Sequence, residues 1–365
     1  MAHHNVKINA NNIIFTLSLL FLTFMTIGSI AVTLVWSGER LVLLSSYELT
    51  VLIFTLKQAI LSSTLSCCLA IPISRALFRR DFLLKEYLVS FLGIPFILPT
   101  IAAIFGLILV FGNNGLLNSL LVFLGLPKLT IYGLTGILIA HVFFNLPLAV
   151  RILLLAWNEI PNDQFKLAAS LDFTRADFFR HIELPMLKSA FPRLFLLIFL
   201  VCVTSFSIAL TLGGGPGSTT LEVAIYQAVR FQLDFSKAAS LACFQFMMCG
   251  SVAFLLLMVG KKNSSFKALD LKVKINNSSF FKQGIFDYVW IFLIFCFLLV
   301  PLVLLFYHGL GGFFELQTTV YLAALNSLVL SLLSGFFGVL IAFSISCICS
   351  SVGFLYFLSK YPASA

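Results

Sequence analysis

The sequence predicts an all-α fold, a bundle of membrane-spanning helices, and three observations carry that prediction. Hydrophobic residues make up 60% of the 365 and charged residues only 10%, well under the roughly 25% charged residues of a soluble domain. Mean hydropathy is +1.07. Several apolar runs reach the roughly 20 residues that a helix rising ~1.5 Å per residue needs to cross a hydrocarbon core of about 30 Å. An outer-membrane barrel would alternate in segments of about 10 residues, a pattern that is absent. The net charge of +9 does not indicate nucleic acid, because the lysines and arginines gather at the ends of apolar runs.

Eight spans follow in chain order. Ile13 to Trp36 is too long for a signal-peptide core of about 7 to 15 residues and reads as an uncleaved first span. Leu49 to Leu77 contains Lys57, near enough to an end for its ammonium to reach the interface. Tyr87 to Phe111 holds no charge at all. Ile131 to Trp157 carries Arg151 close to its end, with His141 and Asn145 inside. Pro192 to Leu212 begins at a proline, which is tolerated in a first turn. Ser240 to Val259, Ile285 to Tyr307 and Thr318 to Ser346 complete the set. The eight cysteines sit in apolar runs at Cys67, Cys68, Cys202, Cys243, Cys296, Cys347 and Cys349 among others. With no C-x-x-C pair, they read as small buried hydrophobes.

Charge sets the orientation. With the N-terminus inside, Arg40, Lys128, Arg230 and Lys237 fall outside, Lys57 and Arg151 lie within spans, and every other lysine and arginine falls inside. That bias predicts a multi-pass protein with a cytoplasmic N-terminus. The polar stretch Lys261 to Lys282 divides the chain into a six-span half at 1–262, a cytoplasmic linker at 263–284 and a further segment at 285–365. The pattern then restarts. "TVLIFTLKQAILSSTLSCCLAI" from Thr50 parallels "TVYLAALNSLVLSLLSGFFGVLI" from Thr319, pairing Leu56 with Leu325, Ser62 with Ser331 and Ser66 with Gly335. Two leucine- and serine-rich spans also align without common origin. If the repeat is real, the second copy stops after two spans, and the chain is expected to be inactive without another half.

The inner loop 159–191 is the most polar segment between spans of the first half. Asn162 or Asp163 can cap a helix over Gln164 to Leu171. Asp172 sits where a reversal is expected and tolerates the left-handed conformation better than most residues. Thr174 can cap a second helix, with Asp177 three residues on as a short-armed capping-box acid. Phe178, Phe179 and Ile182 share one side of that helix, while Arg175, Arg180 and Glu183 face elsewhere. Leu184 and Pro185 are predicted to end it. The aromatic cluster needs cover from the protein's own spans, a partner or lipid headgroups.

At this point the loop resembles that of the permease subunits of bacterial ABC importers, whose motif is E-A-A-x-x-x-G followed after nine residues by I-x-L-P. Ala168, Ile182, Leu184 and Pro185 match it. Lys166 stands for the glutamate, Leu167 for the first alanine and Asp172 for the glycine, and Ala169 follows the matched alanine. The resemblance implies a docking helix over Asp172, Phe173, Thr174, Arg175 and on to Arg180, with Phe178 and Phe179 as anchors in a separate ATPase and Arg175 and Arg180 as rim charges. It also implies a cytoplasmic ATPase dimer that binds ATP and Mg, a periplasmic substrate-binding protein and a second permease half. This chain itself is expected to hold no cofactor and to lie in the bacterial inner membrane.

A second likeness is more specific. "TSFSIALTLGGGPGSTTLEVAIYQAV", Thr204 to Val229, is similar to the fifth-span exit and outer loop of the thiamine-transport permeases, and implies import of thiamine, with its phosphate esters as further candidates. The run Gly213, Gly214, Gly215 lacks the lysine of a phosphate loop and reads as a turn near the substrate's entrance. Asn145, Thr204, Ser205, Phe206, Glu222 and Tyr226 are candidate path or entrance residues. Phe206 and Tyr226 can stack on an aromatic cation. Polar groups within spans also join helices, and Glu222 can attract a cation, meet the binding protein or stay solvated. No nucleophile, paired-carboxylate or metal constellation is present, and His141 has no evident partner. Rival readings are a ferric-ion or sulfate-type ABC permease, or a carrier driven by an ion gradient, which is expected to need mid-membrane ion sites and broken helices.

Overall fold

The computed structural model describes residues 45–260, 284–312 and 317–360, with residues 16, 17, 20, 21, 23–28, 31 and 35 before them. Side chains at 26, 162, 175, 216 and 260 and beyond 343 lie outside the description. The predicted first span, Ile13 to Trp36, is described only in fragments, among them the π-helical turn Phe24–Gly28. The predicted linker lies outside the described residues apart from Gly284. Every regular element among the described residues is helical, and seven helices are long and apolar enough to cross a membrane.

Two compact units divide the chain, Arg40–Gly309 and Met1–Glu39 with Leu310–Ala365. The helices of the larger unit are α1 (Ser46–Arg79), α2 (Lys85–Phe91), α3 (Ile94–Ile97), α4 (Thr100–Phe111), α5 (Leu116–Phe123), α6 (Leu134–Asn158), α7 (Asn162–Ser170), α8 (Arg175–Phe178), α9 (Leu184–Val203), α10 (Ser207–Leu212), α11 (Leu221–Gln227), α12 (Phe235–Gly260) and α13 (Ile285–Gly312). In the smaller unit, α14 (Thr318–Lys360) runs past the predicted end at Ser346, since no proline interrupts it. Its described side chains are exposed up to Phe343, save a half-buried Ile341.

In the larger unit α1 is the organising helix. Ser45 and Glu48 form a capping box at its start. Thr55, Gln58, Ser62 and Ser66 recur at helical spacing and are all buried, with Ala59, Ser63, Cys67 and Ala70 beside them. These small side chains let α6 approach closely, as membrane helices do where no hydrophobic driving force exists between them. The 34 residues of α1 at ~1.5 Å each exceed a hydrocarbon core of about 30 Å. That excess leaves room for its last turns, with Arg75 and Arg79, to lie beyond the apolar zone.

Two predicted spans differ in the structure. Tyr87 to Phe111 is not one helix but α2, α3 and α4, and the segment long and apolar enough to cross is Thr100–Phe123, made of α4 and α5. Pro95 and Pro99 cannot donate the hydrogen bonds of a continuous helix, and Leu98 is extended before Pro99. Pro192 to Leu212 begins earlier, at Leu184, and breaks after Val203, leaving residues 204–206 between α9 and α10. Broken helices, the feature expected of a carrier driven by an ion gradient, are therefore present in the larger unit. α13 packs with the first-half helices: Phe297 meets Phe111 and Phe143, Phe295 meets Phe91, and Gly106 lies against the Pro301 backbone.

Candidate functional site

The loop after α6 is built from two short helices. α7 ends in a Schellman motif: Phe173 N–H donates to Ala168 O at 3.0 Å and Asp172 N–H to Ala169 O at 3.2 Å. Asp172 takes the left-handed position at φ 47°, where glycine is the usual residue. α8 opens with a capping box: Thr174 N–H donates to Asp177 Oδ2 at 3.1 Å, the Thr174 hydroxyl meets the same oxygen at 2.6 Å, and Asp177 N–H donates back to Thr174 Oγ1 at 3.3 Å. The Thr174 hydroxyl, with its amide, holds the Asp177 carboxyl below its usual value.

The second helix does not end at Leu184 and Pro185, as predicted, but runs on into α9. A π turn, Phe179–Glu183, joins α8 to α9, with Leu184 N–H donating to Phe179 O. Pro185 lacks the donor that would close an ordinary turn here, and the wider turn absorbs the fault. The π turn also rotates Glu183 inward. Predicted to face elsewhere than the aromatic side of its helix, Glu183 is 0% exposed and lies 2.5 Å from Arg75 Nη2 and 3.1 Å from Arg79 Nη2. A buried carboxylate is costly unless paired, so this residue ties the loop to the end of α1. Sequence reasoning missed it. The signal was an acid between Ile182 and Leu184, with two arginines four residues apart at the end of another span.

The predicted anchors are also corrected. Phe178 is 1% exposed and stacks on Phe165 at 5.3 Å, which in turn meets Phe78 of α1 at 6.3 Å. Phe179 is half-buried beneath the Arg75 guanidinium, 4.9 Å from the ring centroid. These rings fasten the loop to its own bundle and leave Phe178 no surface for a partner. Ala168 is buried, Ile182 and Leu184 are half-buried, and Pro185 is exposed. Phe173 meets the His181 ring at 5.7 Å in a tilted contact. The exposed residues of the loop instead include Leu167, 60% exposed, and Leu171, 58% exposed, with Lys166, Ala169, Asp172, Thr174 and Arg180 also exposed. Lys166 pairs with Asp163, at 3.4 Å on the surface. Arg175 opens α8, and its side chain lies outside the described residues.

A second site lies inside the bundle. Asn145, Thr204, Ser205 and Phe206, separate in the sequence argument, line one cavity of about 390 Å³ together with His141. Both helix breaks border it, through Pro95, Phe96 and Leu98 on one side and residues 204–206 on the other. Among the described residues no lysine, arginine, aspartate or glutamate lines it. His141 and Asn145 lie near the middle of α6. The Ser62 hydroxyl and His141 Nδ1 share a hydrogen bond of 2.9 Å. Asn145 Nδ2 donates to Cys202 Sγ at 3.2 Å, and Gln58 Nε2 donates to Cys202 O at 3.0 Å, covering a carbonyl at the end of α9.

The remaining candidates lie elsewhere. Gly213, Gly214 and Gly215 line a separate cavity of about 200 Å³ with Tyr47 and Gln227. Gly214 at φ 73° needs the freedom of glycine. Glu222 accepts a hydrogen bond from Gln245 Nε2 of α12 and lines neither cavity. Tyr226 stands 5.2 Å from Phe206 and 5.8 Å from Phe231, so it backs the first cavity through Phe206.

Comparison with known proteins adds three findings. The family of binding-protein-dependent transport system inner membrane components matches residues 63–261. The chain is 45% identical to the thiamine transport system permease protein ThiP of Escherichia coli over 205 residues, 56% of this chain and 38% of that protein. It is 44% identical to ThiP of Brucella abortus over 210 residues, 57% and 39% of the two. The chain thus spans about two fifths of the length of these curated relatives. The molybdenum transport system permease protein ModB of Azotobacter vinelandii is 29% identical over 56% of this chain and 92% of its own length. The fold matches a chain in the crystal structure of a bacterial alginate ABC transporter in complex with an alginate pentasaccharide-bound periplasmic protein, with a TM-score of 0.55 at 13% identity, over 67% of this chain and 92% of that one.

Proposed function

The chain belongs to the family of binding-protein-dependent transport system inner membrane components, and on that footing we propose that it is a membrane-spanning permease subunit of an ATP-driven importer of thiamine. Its ATPase subunits bind the face that carries the loop after α6, on the cytoplasmic side of the inner membrane, and a periplasmic binding protein delivers substrate to the opposite face. The N-terminus lies in the cytoplasm, as the distribution of basic residues favours. A second permease half completes the path, and thiamine phosphates are further substrates. The names of the ThiP relatives support thiamine.

The observation that carries the reading is the braced loop. Leu167 and Leu171, four residues apart at the end of α7 and both exposed, form a small apolar surface suited to a shallow cleft in a partner. The capping box and the Phe165–Phe178 stack keep that contact rigid, and Glu183 joins it to α1. When nucleotide changes the partner's shape, a rigid loop transfers the displacement to α1 and so to α6, which lines the inner cavity. Transport requires that nucleotide and substrate favour the two forms of the bundle differently, and the loop is where that difference enters.

The broken helices bordering the cavity are a feature of carriers driven by ion gradients. Among the described residues no carboxylate lines the cavity to hold a sodium ion or proton, so the ATP-driven reading is the better supported.

The experiment is co-purification of the chain with its ATPase, comparing the natural protein with a Leu167→Asp, Leu171→Asp variant. The natural chain retains the ATPase and the variant loses it, while thermal stability stays within about 0.5 kcal/mol, as for exposed substitutions. Equal ATPase recovery from both, or uptake that survives nucleotide depletion and follows a proton gradient, overturns the reading.

A further inference from the structure

Three phenylalanines, one imidazole, one amide and several hydroxyls line the cavity between the two helix breaks, with no fixed charge among the described residues there. About 390 Å³ is within the range of small-molecule sites. The chemistry is selective. An oxyanion would lack a cationic partner there, and a bare ferric ion would lack carboxylates. Ring faces from Phe96, Phe144 and Phe206 instead suit a flat, weakly hydrated organic cation.

One atom supplies the direction. His141 is 2% exposed, and its Nδ1 is engaged by Ser62. Its Nε2 has no hydrogen-bond partner among the described residues. A buried polar nitrogen left in this state costs stability unless a ligand or water answers it. Since Ser62 holds the opposite edge of the ring, Nε2 is the nitrogen left to answer the cavity.

We propose that this cavity is a transit site for an amino-substituted nitrogen heteroaromatic cation, with His141 Nε2 hydrogen-bonding the amino-bearing ring edge while the phenylalanine rings cover its faces. The proposal rests on the reading of the chain as a thiamine permease, whose substrate joins such an aminopyrimidine to a cationic ring. Whichever nitrogen of His141 carries the proton, the aminopyrimidine edge offers a match, because it presents a donor and an acceptor side by side. His141 thus reads the neutral ring, and the aromatic walls accept the charge without trapping it.

The test measures binding of thiamine, and of a benzyl thiazolium that lacks the aminopyrimidine, to the full chain in lipid nanodiscs. It is run beside thiamine uptake by cells that carry the chain with its partner proteins. Substituting His141→Phe weakens thiamine binding about three- to tenfold, the worth of one neutral hydrogen bond, and changes the benzyl thiazolium less than twofold. His141→Gln, which keeps a donor and an acceptor, recovers part of the loss. Equal losses for both ligands would mean general damage to the fold and would overturn the proposal. So would an unchanged thiamine affinity in His141→Phe, or absent binding to the natural chain while its cells still take up thiamine; either leaves the permease reading intact. Absence of both binding and uptake removes the permease reading as well.

Discussion

Glu183 Oε2 lies 2.5 Å from Arg75 Nη2, with the glutamate side chain fully buried and Arg75 about a quarter exposed. Arg79, one turn along α1, meets the other carboxylate oxygen at 3.1 Å. A loop that has to move a membrane helix needs such a joint, because a single apolar contact slides where a two-armed charge pair resists. Removing one partner of a buried pair costs about 3–5 kcal/mol. Partial exposure of Arg75 places Glu183→Ala toward the lower end, near ~3 kcal/mol. Thermal unfolding in detergent checks this. Where the protein survives, substrate-stimulated ATP hydrolysis by the partner falls more than basal hydrolysis. A variant with unaltered stability and coupling would remove the joint from the mechanism.

Phe178 offers a contrast between a fastening and a docking role. Buried against Phe165, it is expected to cost about 3–5 kcal/mol on truncation to alanine, as core phenylalanines do. The Leu167→Asp, Leu171→Asp pair is expected to leave stability nearly untouched. Denaturation of the two variants side by side separates the roles. A small effect of Phe178→Ala would mean that the ring packs less tightly than its 1% exposure indicates.

Asp172 stands in a left-handed position that favours glycine. Asp172→Gly removes a Cβ penalty of about 1–2 kcal/mol and adds about 0.5–1 kcal/mol of unfolded-state entropy, so a net stabilisation of about 0.5–1 kcal/mol is expected. Asp177 gives the loop a pH response. Its carboxyl is held below the usual value by the Thr174 hydroxyl and amide, so the folded form binds the proton more weakly than the unfolded form. The capping contribution is therefore complete at neutral pH and is lost as pH falls through the lowered value, below the ordinary carboxylate range. Amide exchange at residues 174–178 reports it, with protection constant from neutral pH to mild acid and lost only in stronger acid. Loss near neutrality would contradict the assignment.

Spans were legible in the sequence because a membrane helix needs only length and apolarity, and seven of the eight predicted spans have counterparts among the described helices. The breaks were not. Pro95 and Pro99 sit in an apolar stretch that satisfies every hydropathy criterion, and only the missing donors, read against a continuous helix, reveal the interruption. The capping pair Thr174 and Asp177 was readable because its partners are three residues apart. Glu183 with Arg75, and His141 with Ser62, were not, because each pair joins separate helices. Periodicity places Phe178 on one side of its helix without saying what covers that side, and the partner role comes from the resemblance alone; the fold shows the cover to be Phe165 of the same loop. Asn145 and Phe206 were found as candidates by residue type, whereas their convergence on one cavity required the fold.

The break after Val203 leaves the Cys202 carbonyl without the partner that a continuing helix would supply from residue 206, and Gln58 Nε2 donates to it at 3.0 Å. Both groups are buried. Gln58→Leu keeps the volume and removes the donor, so the carbonyl is stranded in a region without water, at a cost of about 1–3 kcal/mol. The neighbouring Thr55 hydroxyl accepts a hydrogen bond from Leu221 N–H at 2.9 Å in the same way, and Thr55→Val is expected to cost a similar amount. The two effects should differ in function. Gln58 braces the break that borders the inner cavity, so its loss is expected to weaken ligand binding there as well as stability. Thr55 serves the start of α11, and its loss is expected to reduce stability alone. Unfolding and ligand titration of the two variants decide the matter, and equal ligand affinities would show that the break holds its shape without the glutamine.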